Sequence, residues 1–120
     1  FDNAAVGTAP LRDNTTGYQN VGVGSFALSG NTVGVDNVGI GYAAGSQLTT
    51  GNFNVALGAF VSGPAGESNT MRLGLPFAVS TGSGQNKTFI AGIRGFTGGG
   101  EIVTIDAAPA SVLPPVTPHV

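Results

Sequence analysis

An all-β chain wound as a parallel solenoid is the fold the sequence predicts, and three observations predict it. The first is a repeat of fixed length. Asn3-Ala-Ala-Val-Gly7, Asn20-Val-Gly-Val-Gly24, Asn37-Val-Gly-Ile-Gly41 and Asn54-Val-Ala-Leu-Gly58 follow one another at 17-residue intervals, and Thr70-Met-Arg-Leu-Gly74 arrives one residue early. Such an array completes its core by stacking each unit on the next. The second is alternation inside each copy, with branched or aliphatic residues flanking a Gly or Ala, the period of a strand. The third is composition: 21 glycines and 41% apolar residues, with 8% charged. An average soluble domain carries roughly a quarter charged residues. So few charges cover a lone globule poorly and suggest that much of the surface is buried against other copies of the chain.

Taken in order, each unit opens on a short strand. Val6, Val21, Val23, Val38, Ile40, Val55, Leu57 and Leu73 fall on one face and are expected to form the solenoid core. Ala5, Gly22, Gly39 and Ala56 fall on the other face, where nothing larger than a methyl stands. That small face is expected to pack closely against a second backbone, that of a sister chain. Asn3, Asn20, Asn37 and Asn54 recur at one position and are expected to form an amide ladder, with a polar ligand-contacting strip as the alternative.

A short apolar piece follows each strand (Ala9-Pro-Leu11, Phe26-Ala-Leu28, Tyr42-Ala-Ala44, Ala59-Phe-Val61), then a turn ending in Gly17, Gly34 or Gly51. Those glycines, and Gly7, Gly24, Gly41, Gly58 and Gly74 closing the strands, suggest positive φ. Helix is a poor alternative, because an interior Gly costs about 1 kcal/mol and no long window lacks one. Disorder is outweighed by the register of Val, Ile and Leu.

The array spans residues 1–74. Residues 75–106 form a second β segment, with strand-like runs Thr88–Ile93 and Glu101–Asp106 around Phe96-Thr-Gly-Gly-Gly100. Residues 107–120 carry four prolines and read as an extended tail. Phe1 at the uncapped start, and Val112, Leu113 and Val116 in the tail, are candidates for joining subunits end to end. The chain opens without Met, as a piece processed from a longer protein would, or as one on which another subunit stacks.

No catalytic, cofactor-binding or metal-ligating set emerges. Gly22-Val-Gly-Ser-Phe-Ala27 and Gly39-Ile-Gly-Tyr-Ala-Ala44 fit a loose dinucleotide fingerprint, but the match recurs at the repeat interval and no helix follows. Asp2, Asp13, Asp36, Glu67, Glu101 and Asp106 give no facing pair of the kind a glycosidase needs. His119 is the single histidine, and there is no cysteine. A net charge of −2 with Arg12, Arg72, Lys87 and Arg94 scattered argues against nucleic acid. No apolar run reaches the roughly 18 residues of a membrane span. Tyr18, Phe26, Tyr42, Phe53 and Phe60 read as core or subunit contacts, or as platforms for a sugar or protein.

The motif Asn-x-(Ala/Val)-(Val/Ile/Leu)-Gly with Thr-Thr-Gly turns resembles the head repeats of trimeric autotransporter adhesins. The 17-residue form is similar to repeats in bacterial surface and phage tail-fibre-like proteins. The resemblance covers Asn3 to Asp106. It implies a left-handed parallel β-roll of four to five coils, intertwined as a homotrimer and non-catalytic. It also implies an extracellular place, on a cell surface or a virion tail, with host surface, matrix or glycan as partners. In that family a run like Thr88-Phe-Ile-Ala-Gly-Ile-Arg-Gly95 leads to an intramolecular chaperone domain, whereas here the Pro-rich stretch follows. A filament joined head to tail, and a glycan-binding tail-fibre segment, stand as alternatives.

Overall fold

The computed structural model describes residues 2–75 and 82–91. Five strands follow in order: β1 (Ala4–Val6), β2 (Val21–Val23), β3 (Val38–Ile40), β4 (Val55–Leu57) and β5 (Met71–Leu73). They form one sheet in sequence order, every neighbouring pair parallel. Ala5 pairs with Gly22, Gly22 with Gly39 and Gly39 with Ala56, so the chain returns to the same register after each circuit. The last step pairs Ala56 with Arg72, which is the early arrival read in the sequence. The described residues are thus an all-β solenoid of about four turns with strands about 17 residues apart. The chain divides into two compact units, Phe1–Thr88, which holds the whole array, and Phe89–Val120.

The interior corrects the sequence expectation about which face is core. Gly22, Gly39 and Ala56 are the buried members of their strands. The residues expected as core look outward: Val6 is 62% exposed, Ile40 42% and Leu73 56%, and Val21, Val23, Val38, Val55 and Leu57 are only half-buried. The reason is the thinness of the coil. A Cβ at Gly22 would stand 3.2 Å from the Ala27 carbonyl oxygen. At Gly39 it would stand 2.8 Å from that of Ala44 and 2.9 Å from Leu28 Cγ. Hydrogen or methyl fits there and valine does not, so alternation along the strand sends valine out. The backbone that approaches the small face is the far wall of the chain's own coil, not a sister chain. Within the described residues the apolar core is Ala27, Leu28, Ala44, Leu48, Ala56 and Val61, supplied mainly by the pieces that follow the strands.

The corners explain the glycines unequally. Gly24 and Gly41 close their strands at φ 126° and 129°, with the next coil's glycine carbonyl against them, so both conformation and space demand Gly. Gly17, Gly34 and Gly51 do not have positive φ, contrary to expectation. They are Gly because a side chain would strike the stacked carbonyl of Gly34, Gly51 and Glu67 respectively. Positive φ falls instead on bulkier residues at the repeat interval. Gln19, Asp36 and Phe53 (each just before a ladder asparagine) share φ 57°, and Phe26, Ala43 and Phe60 lie between 54° and 61°. Each such residue costs of order 1 kcal/mol and is held by the hydrogen bonds of neighbouring coils.

Of the second β segment only residues 82–91 are described, and 88–91 carry no strand. Glu101–Asp106, the tail 107–120 and the joining candidates Phe1, Val112, Leu113 and Val116 lie outside the described residues.

Candidate functional site

Two features of the array carry chemistry that a repeat can use: an amide column inside it and an apolar sheet face outside it. In the column, Asn20, Asn37 and Asn54 are buried and Asn3, in the first described coil, is exposed. Each side-chain amide closes its own coil. The Nδ2 of Asn3, Asn20, Asn37 and Asn54 donates to the carbonyl of Gly17 (2.9 Å), Gly34 (2.8 Å), Gly51 (2.8 Å) and Glu67 (2.7 Å). Each Oδ1 then accepts from the next coil. Asn3 Oδ1 receives Asn20 N (2.9 Å) and Nδ2 (3.2 Å), and the same pair of bonds links Asn20 to Asn37 and Asn37 to Asn54. Buried amides with both functions satisfied order the stack.

A second, shorter column was missed in the sequence reading. Asn31 Nδ2 donates to Asn14 Oδ1 at 3.0 Å, and both amides reach a glycine carbonyl three residues on. The third member of this column is Leu48, which has no donor, and Asn31 Oδ1 is left buried without a partner. The signal was visible as Asn14, Asn31 and Leu48 at 17-residue spacing.

The apolar face is built by β1–β5. One column reads Ala4, Val21, Val38, Val55, Met71 and the next Val6, Val23, Ile40, Leu57, Leu73, in register by the pairing of the strands. No charged side chain interrupts either column, because Arg72 occupies the intervening, inward position. Met71 is 67% exposed. The two columns together make a continuous, partly exposed apolar patch.

No family model, curated protein or solved structure matches the chain.

Exposed aromatics make a second row. Tyr42 meets Phe26 edge-on at 6.0 Å between ring centres and Phe60 at 5.1 Å. Tyr42 and Phe60 remain about half exposed, as do Tyr18 and Phe53. Near the last coil a cleft of about 330 Å³ opens between Val61, Ser62 and Met71–Leu75. Its charged member, Arg72, is committed elsewhere. Arg72 holds Glu67 through two bonds of 3.0 Å and 2.6 Å, at the position where earlier coils have Gly or Ala. A bidentate ion pair thus closes the C-terminal end of the core. Among the described residues no three His, Cys, Asp or Glu side chains gather as metal ligands, and no helix is long and apolar enough to cross a membrane.

The hydrogen bonds from Arg72 hold the Glu67 carboxyl below its usual range. A depressed folded value means that the pair stabilises fully above the unfolded value of 4.5 and that this is lost as pH falls through the folded value. Protection factors at Arg72 and Leu73, with the intrinsic exchange rate at each pH divided out, are accordingly expected to fall in acid, starting below about pH 4.5, before they do at Gly39. Glu67→Gln removes that dependence. Protection at β5 that stays constant on acidification would show the ion pair does not hold the last coil.

Proposed function

We propose that the chain is a non-catalytic structural module of an extracellular trimeric fibre or adhesin. Three copies close over the apolar face of β1–β5, and the stiff stack presents repeated surface positions to a host surface, matrix or glycan. The observation that carries this reading is the uninterrupted pair of apolar columns left outside the chain's own core. The scarcity of charge, 8% of residues, agrees with a surface largely covered by sister chains. The number three, the left-handed winding and the extracellular setting rest on the resemblance of the repeats. Covering the valine columns adds the apolar burial that thin coils lack, at about 25 cal/mol per Å². A closed three-fold arrangement leaves no flank of that face in water. Multivalence then lets weak contacts add.

A second reading, glycan recognition by a tail-fibre-like segment, is favoured by the stacked row of half-buried Phe26 with exposed Tyr42 and Phe60. Tyr42→Ala is the control for it on a glycan array. For head-to-tail filaments the last coil offers no amide to continue the column, since Thr70 stands where asparagine would.

Sedimentation equilibrium tests the main reading. The protein is expected at three times its 11.8 kDa chain mass, and Ile40→Glu, which puts a charge in the middle of the face, is expected to lower that mass to one chain. A single-chain mass for the unaltered protein, or an unaltered trimer with Ile40→Glu, would overturn it.

A further inference from the structure

The apolar face contains one atom that mild chemistry can change. Its two columns are built of Ala, Val, Ile and Leu, whose side-chain carbons are inert, until β5 puts Met71 beside Val55. The chain has one methionine and no cysteine, so Met71 Sδ is its only sulfur. Three successive coils hold Val21, Val38 and Val55 at this position, the branched type that a strand favours. Methionine breaks that run and brings a soft, oxidisable thioether to the surface. Among the large apolar residues of the five strands Met71 is the most exposed, at 67%. It also borders the cleft formed with Val61, Ser62 and Leu75, so a small molecule reaches it from water. Alternation keeps the thioether out of the core, since the next residue, Arg72, takes the inward place and is held there by Glu67. A change at the sulfur therefore alters the face and leaves the interior of the coil untouched.

We propose that Met71 is an oxidation site that gates association through the apolar face, reachable by peroxide in the single chain and shielded once copies close over it. The inference rests on the assembly proposed above and adds its control. The Sδ lone pair attacks one oxygen of hydrogen peroxide. The S–O bond forms as the O–O bond breaks, sulfur loses two electrons, and the second oxygen leaves as water with the proton of the first. The product is methionine sulfoxide, polar where the thioether was apolar. Its oxygen is a hydrogen-bond acceptor, and the side chains of the two columns offer it no donor. Each such oxygen buried without a partner weakens association about tenfold. Three chains bring three of them, so the association constant of the trimer falls about a thousandfold and the chain concentration at half-assembly rises about thirtyfold. Reduction of the sulfoxide restores the thioether, which makes the gate reversible.

The test oxidises the full chain with dilute hydrogen peroxide in urea, refolds it, and compares its sedimentation over a dilution series with that of an untreated sample refolded alongside. A gain of about 16 Da on the peptide that carries Met71 is expected, together with assembly displaced to about thirtyfold higher concentration. Met71→Leu, treated alike, is expected to assemble as the unaltered protein does. Met71→Gln is expected to assemble as poorly as the sulfoxide without any peroxide. Amide protection at Gly39, expected unchanged throughout, separates lost association from a lost fold. In the folded state Ile40→Glu supplies the single-chain reference, and its Met71 is expected to oxidise about tenfold faster than that of the assembled protein. A sulfoxide chain that assembles at the same concentration as the thioether, or equal oxidation rates in assembled and single chains, would overturn the gate and leave the assembly standing. A protein that sediments as single chains at every concentration would overturn both.

Discussion

Asn37→Asp is expected to cost about 4 kcal/mol of stability at neutral pH, although it alters a single atom's chemistry and almost no volume. The amide nitrogen of Asn37 lies 2.8 Å from Gly51 O and 3.2 Å from Asn20 Oδ1. Aspartate would place a carboxylate oxygen against two acceptors in a site that is 0% exposed. The new carboxyl would be held above its usual range. The variant is then most stable below the unfolded value of about 4, and loses stability as pH rises toward the folded value. Asn3→Asp, at the exposed end of the same column, is expected to cost much less. Urea melts of the two variants at two pH values check both the size and the sign. Equal, small losses at both positions would show that the column is not what orders the coils.

Gly39→Val has the second large expected effect, about 3 kcal/mol or more, because the added methyls meet the Ala44 carbonyl and Leu28 inside a coil that cannot widen. Its neighbour gives the contrast. Val38→Thr, on the outward face, is expected to change single-chain stability by less than about 1 kcal/mol and to weaken association instead. Were the valines the core, the two results would be reversed.

These two positions also show how far the sequence could be read. The 17-residue period, the strand type and the asparagine column follow from residues that repeat, so Asn20, Asn37 and Asn54 could be aligned before any coordinates were known. Facing could not be settled the same way. Alternation says that Val38 and Gly39 point to opposite sides, and the usual preference of aliphatic residues for the interior chose the wrong side. What decides is the width of the coil, which depends on where Ala44 and Leu28 return, and that distance is set by the corners of the turn. Two of those corners place Phe26, Phe53 and Phe60 at positive φ, a conformation that phenylalanine does not announce. The Glu67–Arg72 closure was hidden for a related reason. It occupies one copy only, and its partners come together because that coil is a residue shorter.

Mixing isotope-labelled and unlabelled chains, refolding them together, and recording nuclear Overhauser contacts that cross between chains addresses the orientation of the valine columns and their covering in one step. Methyls of Val21, Val38, Ile40 and Val55 are expected to show contacts to the other chain, while those of Leu28 and Leu48 show contacts within their own. Valine methyls that contact only Leu28 and Leu48 of the same chain would contradict both the inside-out coil and the assembly drawn from it, and an absence of contacts across chains would contradict the assembly.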